Sequence, residues 1–387
     1  MQRKIRFGMV GGGEGAFIGA VHRAAARLDN QLELVCGTFS SVAERGQRTA
    51  ESLGLRAERS YSDFATMFAA EAALPADERM EFVAIVTPNY LHFPVAMAAL
   101  ERGFHVLSDK PATISLDECR RLRERVDASG RLYGLTHPYT SYPLVIEAKE
   151  RIAAAQLGTI RKVIVEYTQG WLADPIERAG NAQAAWRLDP AKAGPSCCIG
   201  DIGVHAFNLV EFVSGIKVTE LSAELNRIVP GRLLDDDGTV LLRFDNGAHG
   251  VLVASQVCIG EENGLTLRVY GDTAGIEWHQ QEPNSLWLKH RSRPAELIRN
   301  GAAHLSAAAR YHSRLPAGHP EGYLDAFANL YRNFAAQVRG AAAGTQARGG
   351  FAYVPGIVDA LRGMAFIETA VAASASAQKW HPFPQVG

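Results

Sequence analysis

The sequence predicts an α/β protein. An N-terminal doubly wound parallel sheet is followed by an α+β domain whose sheet is largely antiparallel and open on one face. Three observations carry this prediction. In the first part of the chain, short apolar runs alternate with helical stripes, the pattern of parallel strands linked by crossover helices. From about residue 138 the texture changes to successive period-two strands. The length of 387 residues exceeds one ordinary core, which divides the chain at 1–137 and 138–387.

The first strand is the apolar run Ile5 to Val10, which leads into Gly11-Gly12-Gly13-Glu14-Gly15. A helix follows with Ile18, Val21, Ala25 and Leu28 on one face. Strand, glycine turn and helix form the Rossmann-type context for a phosphate cradle, because glycine admits the pyrophosphate and the helix start presents free N–H groups to it. A glycine turn that binds nothing is the alternative. Gly11-x-Gly13-x-x-Ala16 satisfies the short fingerprint, and we assign Gly11, Gly13, Ala16, Phe17 and Ile18 to a dinucleotide. Helix entry is expected between Ala16 and Ile18. Glu14 is an awkward charge beside a phosphate unless it faces solvent or substrate.

Leu32, Leu34 and Cys36 mark the second strand, which runs on into Gly37-Thr38-Phe39-Ser40-Ser41 without an acid. An acid at this end would bind the adenine ribose hydroxyls. Ser40 and Ser41 leave room for a 2′-phosphate and Arg45 is placed to pair with it, which leans the choice of NAD or NADP towards NADP. An ordinary solvated helix position is the other reading of Arg45. Phe82 to Val86 is a continuous apolar run, as in a strand covered on both faces, and Thr87, Pro88, Asn89 and His92 follow it. Pro88 ends the strand and Asn89 holds a turn, so the loop is either structural or a cofactor contact; its position favours the latter. His105 to Ser108 and Leu132 to Thr136 complete the strands, and Leu116, Cys119, Leu122 and Val126 form a helical stripe between them. The strand at Ser108 opens into Asp109-Lys110-Pro111. A lysine at the carboxyl end of a parallel strand is positioned to polarise a substrate oxygen, the alternative being a surface lysine.

The glycine loop with Gly19 and His22, the Thr-Pro-Asn-x-x-His segment and the Asp-Lys-Pro motif together resemble the Gfo/Idh/MocA oxidoreductases. Asp109 stands where that family carries glutamate. The loop before Gly19 is about three residues longer than the usual Gly-x-Gly-x-x-Gly spacing. The resemblance implies NAD(P)-dependent dehydrogenation of a sugar or cyclitol.

In the second domain, a helix opens at Pro143, Ile146, Lys149 and Ile152 and is expected to run to Gly158. Strands follow at Val163–Tyr167, Leu221–Leu225, Val240–Phe244, Leu252–Ala254 and Leu265–Val269, with the hairpin signal Asp245-Asn246-Gly247 between two of them. Asp201 and His205 are four apart, one helical face. Imidazole exchanges protons near neutrality and a neighbouring carboxylate orients it, although a capping aspartate with a core histidine has the same spacing. Here the resemblance implies that Asp201 and His205 work with Lys110 as the catalytic set. Asn208 replaces an acid common in the family and is not assigned to catalysis.

Trp171 and Trp186 are candidates for stacking on a sugar face, with core packing as the other role. Trp186 and Arg187, together with Asp109 and Lys110, are also assigned to the cofactor, and Lys110, His137, Trp171, Asp201, His205 and His319 to the substrate. His319 and Glu321 lie in a polar loop before a helix near Leu324, where a plain loop with a capping acid is the alternative. The Ala/Gly-rich Gly340–Gly350 reads as a loose surface connection, and the helix Ile357–Ala373 is expected to pack back on the first domain.

A net charge of −1 argues against nucleic-acid or anionic-membrane binding, and no apolar run approaches a membrane span. The N-terminus enters a strand at once, without a visible signal peptide. Five cysteines without a Cys-x-x-Cys pair fit a reducing cytoplasm, and no metal site is expected. Cys197 and Cys198 read as packing residues, with a reactive thiol as the alternative.

The expected reaction moves hydride between a nicotinamide and a secondary alcohol of a sugar, sugar derivative or cyclitol. The alternatives are a dinucleotide-binding sensor of the same fold and a redox-assisted glycoside-cleaving enzyme. The resemblance implies as partners a small carbohydrate or cyclitol and further copies of the chain, as a homodimer or homotetramer through the open sheet face.

Overall fold

The structure, a computed structural model, describes residues 3–345 and 351–386. The chain divides into two compact units, Met1–Thr136 with Phe327–Leu361, and His137–Ala326 with Arg362–Gly387. The continuous second domain expected over 138–387 is therefore interrupted, because Phe327–Leu361 joins the first unit. The helix expected to pack back on the first domain contributes to it only as far as Leu361.

The first unit holds β1 (Ile5–Gly11), α1 (Phe17–Leu28), β2 (Leu32–Thr38), α2 (Ala43–Ser52), α3 (Phe64–Ala73), β3 (Phe82–Val86), α4 (His92–Glu101), β4 (His105–Ser108), α5 (Leu116–Ser129) and β5 (Tyr133–Leu135). Its sheet is parallel throughout, in the order β2-β1-β3-β4-β5. The order reverses between β1 and β3, so the loops after these strands face the crevice where such sheets bind ligands. Every residue of β3 is buried, as its unbroken apolar sequence requires. The α5 stripe Leu116, Cys119, Leu122 and Val126 is buried, and Ser115 caps the helix by accepting from the Glu118 amide at 3.2 Å.

The second unit begins with α6 (Pro143–Ala153). This helix stops short of Gly158: Ala154 caps it and Ala155 takes a left-handed φ of 56°. Then follow β6 (Ile160–Thr168), α7 (Ala182–Arg187), α8 (Pro190–Ala193), a π-helical turn at Ile199–Gly203, and α9 (Val204–Ser214). The strands β7 (Val218–Asn226), β8 (Asp237–Phe244), β9 (His249–Ser255), β10 (Gly264–Gly271), β11 (Ala274–His279), β12 (Ser285–His290) and β13 (Glu296–Arg299) come next. They precede α10 (Ala307–His312), α11 (Tyr323–Ala343), α12 (Ile357–Ser374) and β14 (His381–Pro382). Helix α11 covers the start of the Gly340–Gly350 stretch expected to be a loose connection; 346–350 lies outside the described residues.

The nine-stranded sheet runs β13-β12-β11-β10-β6-β9-β8-β7-β14. It is antiparallel except where β6 pairs with β9 in parallel. Register explains its two faces. Val240, Leu252, Val165, Leu267, Trp278, Leu286 and Ile298 lie opposite one another in one row, all buried, on the side that α6 and α9 cover. One residue along, Leu241, Val251, Ile164, Arg268, Glu277, Trp287 and Leu297 form a row on the other side. There Leu241, Trp287 and Leu297 are 40%, 37% and 44% exposed.

Candidate active site

In the first unit the glycine loop is built by contacts that leave no room for side chains. Gly11 and Gly12 take φ of 84° and 70°, where only glycine is unstrained. A Cβ on Gly13 would sit 2.5 Å from the Phe39 carbonyl oxygen, and one on Gly19 only 2.3 Å from that of Gly12. Helix and loop thus touch backbone to backbone, and Arg23 Nη1 donates to the Gly12 carbonyl at 2.5 Å. Helix α1 starts at Phe17 after Ala16, within the expected range. No side chain caps it among the described residues, and its first turn carries no acid. These open amides, a bare glycine surface and the buried, unpartnered Thr87 hydroxyl beside Gly11 suit the phosphates of a dinucleotide. Phe17 and Gly15 are exposed at the rim of the loop. Glu14 is turned outward, 3.1 Å from Arg48 Nη2, which resolves its awkward charge.

At the end of β4 the Lys110–Pro111 peptide is cis. Asp109 faces inward: the Thr136 hydroxyl donates to it and His22 Nε2 lies 3.6 Å from its Oδ1. Burial alone would raise the Asp109 carboxyl. The adjacent His22 and the Thr136 hydroxyl outweigh it and hold the pKa down to about 2. His22 is itself fully buried, with Nδ1 at 2.8 Å from the Tyr331 hydroxyl. Asp109, assigned to the cofactor, is thus engaged by His22 and Thr136. His92, assigned likewise, is buried with Nδ1 at 2.7 Å from the Pro111 carbonyl and Nε2 at 2.8 Å from that of Thr87. Burial lowers the His92 pKa, and a neutral imidazole has one N–H, so His92 donates to one of these two carbonyls while it packs between their loops. Ser40 Oγ accepts from the Val42 amide at the entry to α2, while Ser41 and Arg45 are exposed.

In the second unit, Asp201 lies in the π-helical turn and His205 in the first turn of α9. Asp201 Oδ2 accepts from Gln256 Nε2 at 2.9 Å and stands 3.4 Å from Arg187 Nε. Asp235 builds the turn itself. Its carboxylate accepts from the Cys197 and Ile199 amides and the Ser196 hydroxyl at 2.9–3.0 Å. Burial still leaves its pKa raised. The His205 ring meets His137 edge-on, Nδ1 to Nδ1 at 2.9 Å. Tyr139 stands edge-on at 5.0 Å from His205, its hydroxyl 2.5 Å from that of Tyr167, which donates to Asn263 at 2.7 Å.

Two models of protein families match the chain. One, described as an oxidoreductase family with an NAD-binding Rossmann fold, matches residues 5–137; the other, described as a GFO/IDH/MocA C-terminal domain, matches residues 145–277. The chain belongs to the Gfo/Idh/MocA oxidoreductase family. Among relatives of the family, an uncharacterized oxidoreductase of Bacillus subtilis, YfiI, is 33% identical over 87% of this chain and 86% of its own. The levoglucosan dehydrogenase of Pseudarthrobacter phenanthrenivorans is 26% identical over 76% of this chain and 78% of its own. An inositol dehydrogenase homolog from Azotobacter vinelandii, solved in complex with NAD+, superposes with a TM-score of 0.95 at 33% identity, covering 99% of this chain and 98% of that one.

Other expectations shift within this Gfo/Idh/MocA framework. Arg187, assigned to the cofactor, pairs with Asp201 and lies over the rings of Trp186 and Trp171, 4.3 and 5.8 Å from their centroids. Trp186, with the same assignment, donates to Gln183 in its own helix at 3.3 Å. Trp171 packs on the buried cluster of Leu172, Ala184, Leu188, Ala193, Cys197 and Leu234, the core role weighed against stacking. His319 is exposed, with Nδ1 3.3 Å from the Pro316 carbonyl. Glu321 is buried, and its Oε1 accepts from the Arg314 and Leu315 amides rather than capping a helix, while its Oε2 is buried without a hydrogen-bond partner. Cys197 and Cys198 are buried, and burial pushes both thiols well up, as packing residues require. Sequence reasoning missed Gln256, Asp235, Tyr139 and Tyr167. The Asp235-Asp236-Asp237 run was visible, but nothing local tells that Asp235 holds the turn bearing Asp201 while the likewise buried Asp236 takes the Ile228 and Val229 amides.

Proposed function

We propose that the chain interconverts a secondary alcohol and a ketone on a sugar, sugar derivative or cyclitol. A nicotinamide dinucleotide held at Gly11, Gly13 and Ala16–Ile18 supplies the hydride acceptor or donor when bound. The observation that carries this reading is a buried histidine, His205, engaged through Nδ1 on a turn that also presents Asp201, in a chain whose first unit has a bare glycine cradle. His205 takes the hydroxyl proton, Asp201 holds the charge balance of its turn, and Lys110 donates to the oxygen as negative charge develops. Relatives named for levoglucosan and inositol support polyhydroxylated substrates. The acid-free end of β2, with the exposed Arg45, supports tolerance of the NADP 2′-phosphate. The exposed apolar residues Leu241, Trp287 and Leu297 support assembly into a dimer or tetramer through that sheet face. Four of the five cysteines are buried and none is in a disulfide, which suits the cytoplasm; no helix among the described residues is long and apolar enough to cross a membrane.

Absorbance at 340 nm across a panel of sugars and cyclitols, with NAD and NADP side by side, tests the proposal. Substrate-dependent change supports it. Tight dinucleotide binding with no change on any substrate points to a sensor, and glycoside cleavage without net reduction points to a redox-assisted lyase.

A further inference from the structure

We propose that His137 is a positioning residue that sets which nitrogen of His205 is free to accept the substrate proton. The inference rests on the reaction proposed above. It starts from the contact between two Nδ1 atoms at 2.9 Å.

A neutral imidazole carries one N–H and one lone pair. Two facing Nδ1 atoms therefore make a hydrogen bond only when one of them holds a proton. If His137 donates, the proton of neutral His205 resides on Nε2 and blocks that nitrogen as a base. If His205 donates, its Nε2 carries the lone pair and His137 keeps its own proton on Nε2. Only the second arrangement lets His205 act as the base. In that step the substrate O–H bond breaks, an Nε2–H bond forms on His205, and the carbon's hydride leaves to the nicotinamide. The imidazolium keeps Nδ1–H directed at the His137 lone pair. The hydrogen bond thereby becomes charge-assisted as the reaction proceeds and favours the proton-loaded state.

The surroundings make the arrangement durable. His137 is 1% exposed, and its carbonyl accepts from the Thr140 hydroxyl at 2.8 Å, which fixes the turn after β5. His205 is 8% exposed and walled by Tyr139, whose hydroxyl is held by Tyr167. Titratable groups that face the His205 ring include His137, Tyr139 and Tyr167, with Asp201 and its partner Arg187 one turn back. Burial raises both tyrosine hydroxyls, so neither titrates near neutrality.

The test compares His137→Asn, whose amide oxygen reproduces an acceptor near the Nδ1 position, with His137→Leu, which has none. In 15N-histidine NMR of the protein without substrate, neutral His205 is expected as the Nδ1–H tautomer in wild type and in His137→Asn, and as Nε2–H in His137→Leu. In kinetics, His137→Leu is expected to lower kcat by about 100-fold with KM changed only a few-fold. The acidic limb of its pH profile moves down by about one unit, while His137→Asn stays within about tenfold of wild type. Neutral His205 found as Nε2–H in the wild-type protein overturns the proposal, as does an unchanged pH profile in His137→Leu. If no sugar or cyclitol is turned over, the proposed function fails, but the wild-type tautomer still decides the role of His137.

Discussion

His22 Nε2 lies 3.6 Å from Asp109 Oδ1, which joins the helix behind the glycine loop to the strand end that carries Lys110. The Asp109 pKa is depressed from 3.8 to about 2, so its contribution to stability is complete above pH 3.8 and is lost as the pH falls towards 2. The difference is on the order of 2 kcal/mol. Urea unfolding at pH 7 and pH 3 should show wild type losing part of this, and Asp109→Asn losing less. Parallel losses in the two proteins would refute the assignment.

Gly19→Ala places a Cβ within 2.4 Å of Gly12 Cα. Relief requires the loop to move away from α1. We expect a destabilisation of about 1–3 kcal/mol and at least tenfold weaker dinucleotide binding, measured by thermal unfolding and titration calorimetry. Gly46→Ala, also inside a helix but with nothing closer than 3.8 Å to the added Cβ, controls for a helical glycine-to-alanine change without the clash.

How much of this was legible depended on distance along the chain. The parallel sheet, the α5 stripe and the hairpin at Gly247 follow from local periodicity and turn chemistry. The glycine loop, Lys110 and the Asp201/His205 pair are likewise local patterns. Strands β11 to β13 were missed: they are short, and polar or charged residues interrupt them without the continuous apolar run that marks β3. His137 and His205 are 68 residues apart and Gln256 is 55 from Asp201, so only the folded sheet brings these partners together. His92 shows the converse: its motif was visible, but the two backbone carbonyls that its ring faces were not.

Lys110→Ala and His205→Ala should each reduce turnover by about 100-fold or more while dinucleotide affinity stays near wild type. Stopped-flow hydride transfer and calorimetry separate the two effects. Wild-type turnover in either variant would remove that residue from the mechanism.

Arg45 is exposed, and no acid follows β2. Arg45→Ala should lower kcat/KM for NADP by about tenfold, the scale of one charge-assisted contact, and leave NAD within twofold or so. Equal losses with both dinucleotides would contradict a role at the 2′-phosphate.

Trp287 is 37% exposed in the cross-sheet row that includes Leu241 and Leu297. Trp287→Arg should shift the sedimentation profile from oligomer towards monomer. A wild-type protein that sediments as a monomer would rule out this face as the assembly surface.

Asp235 gives the candidate site an unusual vulnerability. It is 6% exposed, and burial disfavours its charge although three donors surround it. The fold therefore tolerates a locally unfavourable ion to shape the turn bearing Asp201. Neutralising Asp235 would leave the Cys197 and Ile199 amides and the Ser196 hydroxyl short of an acceptor and so loosen the turn. An activity screen would then score Asp235 as though it did chemistry, although its influence passes through the turn it holds.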